Sequence, residues 1–191
     1  MPRPLSRPRS RRWIWFFLVL ALLSALAIVV PIVYNLGIQL HPEQLAGARR
    51  RWQENAPADY DLAYLVKRTE RDNPTPTEQE YFVQVRAGQV VFVVEDGEVV
   101  YLDPGLAAVT GPVFLALSSA EAKRFGVPAL FEEIEAMLSC EASRRRRDFA
   151  TAQFDPRDGH PYHFVFRVRG TSERLEWNIK LTRIEPPRRG P

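Results

Sequence analysis

The sequence is poor in cysteine: its 191 residues include one, Cys140. A lone cysteine has no partner within the chain, so no internal disulfide can form and the folded part must be held together by packing. Cys140 comes late in an apolar helical pattern. We therefore expect it to be a buried, small apolar side chain, because a reactive thiol needs an exposed and electropositive setting.

Charge is missing from Trp13 to Val33, a run of 21 residues. The hydrocarbon core of a bilayer is about 30 Å thick and a helix rises about 1.5 Å per residue, so roughly 20 apolar residues can cross it. The run therefore predicts a transmembrane helix over residues 13–34, in contact with membrane lipid.

Acidic residues are absent before Glu43, whereas five arginines precede the apolar run. These are Arg3, Arg7, Arg9, Arg11 and Arg12. Positive charge flanking a span is retained on the cytoplasmic side of the membrane. The sequence therefore predicts a single-pass protein of the cell membrane with a cytoplasmic N-terminus and an extracytoplasmic C-terminal domain.

A cleaved signal peptide is the alternative interpretation of the same stretch. A basic segment and an apolar run lead to the small-x-small motif Ala25-Leu26-Ala27, which resembles a cleavage site. The apolar run continues through Ile28–Val33, past the point of cleavage, and this favours an uncleaved anchor. Arg11-Arg12 also fits a twin-arginine export signal, although paired arginines are common before membrane spans.

The net charge of +3 is unevenly distributed. Residues 1–34 hold 5 of the 26 basic side chains and none of the 23 acidic ones, which leaves 21 basic against 23 acidic, a difference of −2, for the rest. The basic tail can contact anionic lipid headgroups. The near-neutral remainder gives no reason to expect nucleic acid as a partner.

The chain divides into four segments. Residues 1–12, rich in Pro, Arg and Ser, are expected to form a disordered basic cytoplasmic tail ahead of the helix over 13–34. Residues 35–185 have the length of one domain, and residues 186–191 form a short tail. Two arginine runs, 49–51 and 144–147, are interpreted as solvated surface, with a lipid or membrane-facing contact as the alternative.

Helical periodicity marks two main helices. Pro42 opens the first, over 42–54, in which Leu45, Ala48 and Trp52 recur at helical spacing. Pro128 opens the second, over 128–139, whose apolar stripe is expected to pack on a sheet. A short helix capped by Ser118 or Ser119 should end near Gly126, after an irregular packed loop over 106–117.

Strand patterns fill most of the remaining sequence. Alternation of apolar and polar residues begins at Asp59, and a polar loop, Arg68 to Gln79, follows. The breaks at Ala87-Gly88 and Asp96-Gly97 have hairpin chemistry. Further strand segments are Tyr81–Val85, Gln89–Val94, Glu98–Tyr101, Phe149–Phe154, Tyr162–Arg169 and Arg174–Ile184. We expect an α+β fold with helices packed on a mostly antiparallel sheet of about five to six strands.

Several segments occur together in a characteristic order. They are Leu45–Trp52, Asp59–Leu62, Val91–Val100, Leu130–Glu135 and Phe154–Pro161. Over about residues 43–184 the chain thereby resembles the bacterial domain of unknown function 6174 family of exported or membrane-anchored domains. The resemblance implies an exported α+β domain without an established activity, and it supplies no catalytic residues to transfer.

The chain departs from that family at the end of the first strand. Many members carry Cys-x-Cys there, whereas this chain has Lys67-Arg68-Thr69. A disulfide or thiol role tied to that pair therefore does not carry over.

The densest group of candidate metal ligands is Asp155, Asp158, His160 and His163. Carboxylate oxygens and imidazole nitrogens suit zinc or a harder divalent ion. The competing interpretation is a turn between two strands, because Asp-Pro-Arg-Asp-Gly is ordinary turn chemistry. Strand alternation would also place His160 and His163 on opposite faces. We therefore assign no metal or cofactor from the sequence.

No nucleophile elbow, phosphate-binding loop, HExxH motif or supported Cys/His pair occurs in the sequence. We therefore expect a non-enzymatic binding or scaffolding domain in an envelope assembly, with an envelope protein as partner. An exposed sheet edge or a cleft between the sheet and the 128–139 helix would hold the partner. The alternative is a carrier or sensor of a small apolar ligand, and the third class is a hydrolase or metal-dependent enzyme.

Overall fold

The structure, a computed structural model, describes residues 12–37, 39–105, 117–141, 143 and 148–184. It divides into two compact units, Met1–Gln39 and Leu40–Pro191. Several expectations from the sequence lie outside the described residues: the two tails apart from Arg12, the loop over 106–116, and the arginine run 144–147.

The first unit contains helix α1, Arg12–Gly37. Its stretch Trp13–Pro31 carries no charge, and among the described residues it is the one helix long and apolar enough to cross a membrane. Inside the helix the Ser24 hydroxyl donates to the Leu20 carbonyl at 2.9 Å, so its polar group has a partner within the helix. The N-terminal apolar helix that the sequence predicts is confirmed.

Helix α2, Pro42–Asn55, opens the second unit. His41 precedes it, and the His41 backbone N–H donates to Oε1 of Gln44 at 3.2 Å, which caps the first turn. Leu45, Ala48 and Trp52 are its buried residues, as their spacing predicts. The helix ends where the N–H of Ala56 bonds the Trp52 carbonyl.

Within the described residues, seven strands form one sheet in the order β4-β3-β2-β1-β7-β6-β5. Every neighbouring pair is antiparallel, so two meanders meet where β1 pairs with β7. The strands are β1 Tyr60–Thr69, β2 Thr77–Arg86, β3 Gln89–Glu95, β4 Glu98–Leu102, β5 Phe149–Phe154, β6 Pro161–Arg167 and β7 Arg174–Arg183. The α+β class is confirmed.

The expected number of five to six strands is wrong, because all seven strand-like segments join the sheet. Short β3 and β4 remain separate strands since Asp96 and Gly97 both have positive φ, 49° and 85°, the geometry of a two-residue hairpin turn. The loop expected over Arg68 to Gln79 is also shorter, because Thr77 pairs with Arg68 and Glu78 with Lys67.

Two short helical segments and a longer helix follow β4. Helix α3, Ser119–Ala122, begins at Ser118, whose hydroxyl accepts from the N–H of Glu121. A 3-10 turn, Lys123–Phe125, leads into helix α4, Val127–Ser139. Leu130, Phe131 and Ile134 of α4 are buried, which confirms its predicted apolar stripe.

The core lies between one face of the sheet and helices α2 and α4. The strands contribute alternate residues to it: Tyr60, Leu62 and Tyr64 from β1, Val83 and Val85 from β2, Val93 from β3, Phe164 from β6, and Trp177 and Ile179 from β7. On β7 the intervening Asn178 and Lys180 are exposed. On β7 the opposite face of the sheet therefore carries polar residues.

Cys140 is exposed, so the expectation that it is buried is wrong. Helix α4 ends at Ser139, and Cys140 is the residue that follows it, where its N–H still bonds the carbonyl of Ala136. The apolar stripe that packs on the sheet does not extend to this position because the helix has ended.

Candidate functional site

The loop between β5 and β6, residues 155–160, contains three of the four candidate metal ligands. Asp158 is fully buried. Its Oδ1 accepts from the His160 backbone N–H at 3.0 Å and lies 2.6 Å from the His160 Nδ1, while Oδ2 lies 2.6 Å from Nη2 of Arg183. An ionised carboxylate can only accept, so the ring Nδ1 is the donor.

This buried carboxylate is ionised at neutral pH. Burial by itself would raise the pKa of Asp158, but the hydrogen bonds from His160 and Arg183 outweigh it, and the pKa lies below the ordinary value of 3.8. The charge of Arg183 compensates the buried anion. Both carboxylate oxygens of Asp158 therefore already accept hydrogen bonds from the protein.

The loop brings ligand atoms of Asp155, Asp158 and His160 within 4.8 Å of one another. Oδ1 of Asp155 accepts from the Arg157 N–H at 2.7 Å, which is turn chemistry. A cation could enter the group only by displacing donors that Asp158 already holds. Turn hydrogen bonds and an ion pair thus account for the cluster, and we assign it a structural role.

His163 lies apart from that cluster. It pairs across the sheet with exposed Asn178, and its Nε2 lies 3.5 Å from Oε1 of Glu176. Burial would raise the pKa of Glu176, but the hydrogen bond from Asn178 and the charge of Arg174 lower it more. The polar group on this face of the sheet is therefore an internal ion pair network.

The 155–160 loop packs against helix α2. Gly159 has φ +83°, and a Cβ built on it would lie 2.3 Å from the Ala48 carbonyl oxygen. The ring of His160 meets Trp52 edge to face, with centroids 6.4 Å apart. The buried loop thereby supports one side of the Trp52 ring.

A cleft of about 730 Å³ opens beside Trp52, between the end of α2, the start of α4, the 3-10 turn and the sheet. We call it the α2–α4 cleft. Its lining residues are Trp52, Ala56, Pro57, Tyr60, Val85, Gly88, Gln89, Val90, Ala120, Lys123, Arg124, Gly126, Pro128, Ala129 and Glu132. Apolar atoms therefore dominate its floor, and charged groups lie at its rim.

The floor is built on an aromatic pair. Trp52 and Tyr60 meet edge to face at 5.5 Å and are both buried. Burial raises the pKa of Tyr60 to about 12, against a smaller lowering by the hydrogen bond that the Val127 N–H donates to its hydroxyl. The phenol is thus neutral at physiological pH and adds no charge to the floor.

The rim is charged unevenly. Lys123 and Arg124 are exposed and come from adjacent positions of the 3-10 turn. Across the cleft, Oε1 of Glu132 lies 3.9 Å from Nη2 of Arg49. Arg49 also bonds Glu135 at 2.8 Å and so connects α2 to α4. Positive charge therefore exceeds negative charge at the mouth.

The sequence predicts a cleft between the sheet and the 128–139 helix as one of two places for a partner, beside an exposed sheet edge, and it does not predict the charged rim. Lys123 and Arg124 lie in the last part of the short helix expected to end near Gly126, where the structure has a 3-10 turn. The available signal is two prolines near helix ends, Pro57 shortly after α2 and Pro128 in the first turn of α4, which both line the cleft. Which residues of a turn face a neighbouring helix depends on tertiary packing.

Neither a protein-family model nor a curated protein sequence matches this chain. The resemblance to the domain of unknown function 6174 family therefore stays a prediction from sequence.

Proposed function

We propose that the chain is a membrane-anchored binding protein whose folded domain takes up a small ligand with an apolar body in the α2–α4 cleft. The observation that carries this proposal is a cleft of about 730 Å³ floored by Trp52, Tyr60 and Val85. Ligand sites are typically concave, about 300–1,000 Å³ in volume, and mostly apolar with a few polar groups. The α2–α4 cleft has each of these properties.

The groups that face the cleft support binding over catalysis. Tyr60, with a pKa of about 12, holds its proton at neutral pH. Glu132 lies toward Arg49, and the remaining charged groups are Lys123 and Arg124. General acid–base catalysis needs a group that titrates near the working pH within hydrogen-bond reach of the substrate. We therefore propose a binding protein and no enzymatic activity.

The anchor is proposed on two observations. Helix α1 contains a charge-free stretch, Trp13–Pro31, and five arginines precede that stretch while no acid does. Retention of positive charge on the cytoplasmic side would place the second unit outside the cytoplasm. The expected contact with an envelope protein stays a prediction.

A bulky side chain introduced into the cleft tests the proposal, because it should prevent ligand binding there. Half-buried Ala129 lines the cleft on α4, whereas Ala136 on the same helix is exposed and lies away from it. We would reconstitute the full chain in zwitterionic nanodiscs and follow its melting temperature by tryptophan fluorescence with the neutral probe 1-octanol. At ten times Kd a bound ligand adds about 1.4 kcal/mol, or roughly 3–6 °C for a domain of this size.

The expected result is a rise in Tm for the unmodified chain and for Ala136→Phe, and no rise for Ala129→Phe. The comparison between the two variants removes any effect of octanol on the lipid. An equal rise in all three proteins would place the binding outside the cleft and contradict the proposal.

A further inference from the structure

We infer that the ligand of the α2–α4 cleft is a small amphipathic acid, with its apolar body on the aromatic floor and its carboxylate beside Lys123 and Arg124. This inference rests on the proposed function and specifies the chemical class of ligand. It depends on the charges at the mouth of the cleft and on their position relative to the apolar floor.

The two cations have no ion-pair partner in the part of the chain that the structure describes. The nearest acid along the chain, Glu121, is occupied at its Oε2 by the backbone N–H and the hydroxyl of Ser118, at 2.9 and 2.7 Å. Arg124 acts on Glu121 only as a nearby charge that helps lower its pKa, after the hydrogen bonds from Ser118. Lys123 is left without an acid.

The one acid that lines the cleft is Glu132. It lies on α4, across from the 3-10 turn, and its carboxylate is 3.9 Å from the guanidinium of Arg49. Arg49 is shared, because it also lies 2.8 Å from Glu135, so it offsets the charge of Glu132 only in part. Among the described residues that line the cleft, the two cations Lys123 and Arg124 exceed the single acid Glu132 by one charge, and an anion is the complementary group.

The position of the cations sets the shape of the ligand. Trp52, Tyr60 and Val85 are buried at the floor, whereas Lys123 and Arg124 are exposed at the rim. A ligand that occupies both regions has an apolar body and one anionic end. Because that end stays near water, it binds without a large loss of hydration.

The gain in affinity from the ligand's charge is modest, because its anionic end and the two cations stay near water. Exposed ion pairs contribute roughly 0.2–1 kcal/mol each, so two cations should favour the acid over its neutral analogue about two- to thirtyfold. Salt should reduce the preference, since the Debye length falls from about 10 Å at 0.1 M to about 3 Å at 1 M.

Three probes with the same chain length test the inference: octanoate, 1-octanol and octylammonium. Each is titrated into the full chain in zwitterionic nanodiscs, with empty nanodiscs as baseline, and Trp52 at the cleft floor contributes to the fluorescence signal. We expect octanoate to bind about two- to thirtyfold more tightly than octanol, and octylammonium to bind most weakly.

The charge-removing variant is Lys123→Ala with Arg124→Ala. Its matched control, Arg50→Ala with Lys180→Ala, removes one arginine and one lysine from exposed positions outside the cleft. The first variant should bind octanoate no better than octanol and should bind octanol as before. The control should keep the full preference, and the single variants Lys123→Gln and Arg124→Gln should each lose part of it.

The outcomes separate the two proposals. If octanol binds in the cleft but octanoate is not preferred, or if the preference survives loss of both cations, the amphipathic-acid inference is overturned and the cleft remains a binding site. Tightest binding of octylammonium also overturns it and indicates Glu132 as the contact. If none of the probes binds, the proposed function itself fails.

Discussion

At the scale of single residues, the stability of the second unit depends on polar groups that the core surrounds. Asp158 is fully buried and is bonded by His160 and Arg183, so it fixes the 155–160 loop against β7 and α2. A buried carboxylate is favourable only while its donors stay in place. This loop is therefore a sensitive point of the fold, although it is remote from the rim of the cleft.

Asp158→Asn should destabilise the protein by about 1–3 kcal/mol, because the amide cannot accept all the hydrogen bonds that the carboxylate accepts. This loss of stability is smaller than the loss expected for a fully buried ion pair, because the Arg183 side chain is 44% exposed. Thermal unfolding measures the loss, and Asp72→Asn, at an exposed position, is the control. Equal stability of the two variants would contradict the role of Asp158.

Asp158 should also make the stability of the folded protein depend on pH. The pKa of Asp158 is lower in the folded protein than its ordinary value of 3.8, so the unfolded chain takes up this proton first as pH falls. Its stabilising contribution is full above about pH 4 and is lost as pH falls through the folded pKa. The stability difference between the unmodified chain and Asp158→Asn should therefore shrink below pH 4. A difference that is constant with pH would exclude this linkage.

Gly159 provides a second test at this scale. Gly159 and Gly170 have almost the same backbone, φ +83° and +81°, but a Cβ at Gly159 meets the Ala48 carbonyl at 2.3 Å whereas one at Gly170 meets nothing within 4 Å. Both alanine variants incur the cost of positive φ, about 1 kcal/mol or more. Gly159→Ala should lose at least about 1 kcal/mol beyond Gly170→Ala, because α2 must shift. Similar melting temperatures would mean that the loop is not clamped to α2.

At the scale of elements, the predictability of each strand or helix follows from whether one of its faces is buried. Strand β7 alternates cleanly because Trp177 and Ile179 are in the core while Asn178 and Lys180 are exposed. The first half of β2, Thr77–Glu80, is exposed throughout, so its sequence has loop composition even though it pairs with β1. Periodicity reports burial, and a strand segment whose side chains are all exposed gives none.

The local sequence pattern likewise does not predict whether a side chain at the end of a helix is buried or exposed. Cys140 continues the apolar composition of α4 in sequence, but the helix has ended and the residue is exposed. The α2–α4 cleft depends on how far two helices separate over the sheet, and the sequence fixes their boundaries without fixing that separation. The rim residues Lys123 and Arg124 were not predicted for this reason.

Packing, and not the salt bridge between the helices, should hold α4 on the sheet. Ile134 is fully buried, so Ile134→Ala should cost about 2–5 kcal/mol. Arg49 and Glu135 are 2.8 Å apart but their side chains are 39% and 59% exposed, and their coupling in a double-mutant cycle should be below about 1 kcal/mol. Thermal unfolding of Ile134→Ala and of the four proteins of the cycle measures both quantities, and a coupling above about 2 kcal/mol would contradict this division.

At the scale of the whole molecule, the two units have different chemistry. The first is an apolar helix preceded by arginines, and the second has its own hydrophobic core and a slight excess of acid. An apolar helix favours lipid and a polar-surfaced domain favours water, so a single-pass arrangement satisfies both. A binding cleft on a tethered domain would then sample ligands near the membrane surface.

The native cysteine can test the orientation of this arrangement. Cys140 is the only cysteine in the sequence and is exposed on the second unit, so a membrane-impermeant maleimide should label it in intact spheroplasts. Cys140→Ser removes the signal and is the negative control. Adding Ser6→Cys to that variant places the thiol before the apolar helix, where labelling should require permeabilised cells because the basic tail is expected inside. The reverse pattern, with Ser6→Cys labelled in intact cells and Cys140 only after permeabilisation, would mean that the second unit is cytoplasmic. Label on both in intact cells would contradict a membrane-spanning α1.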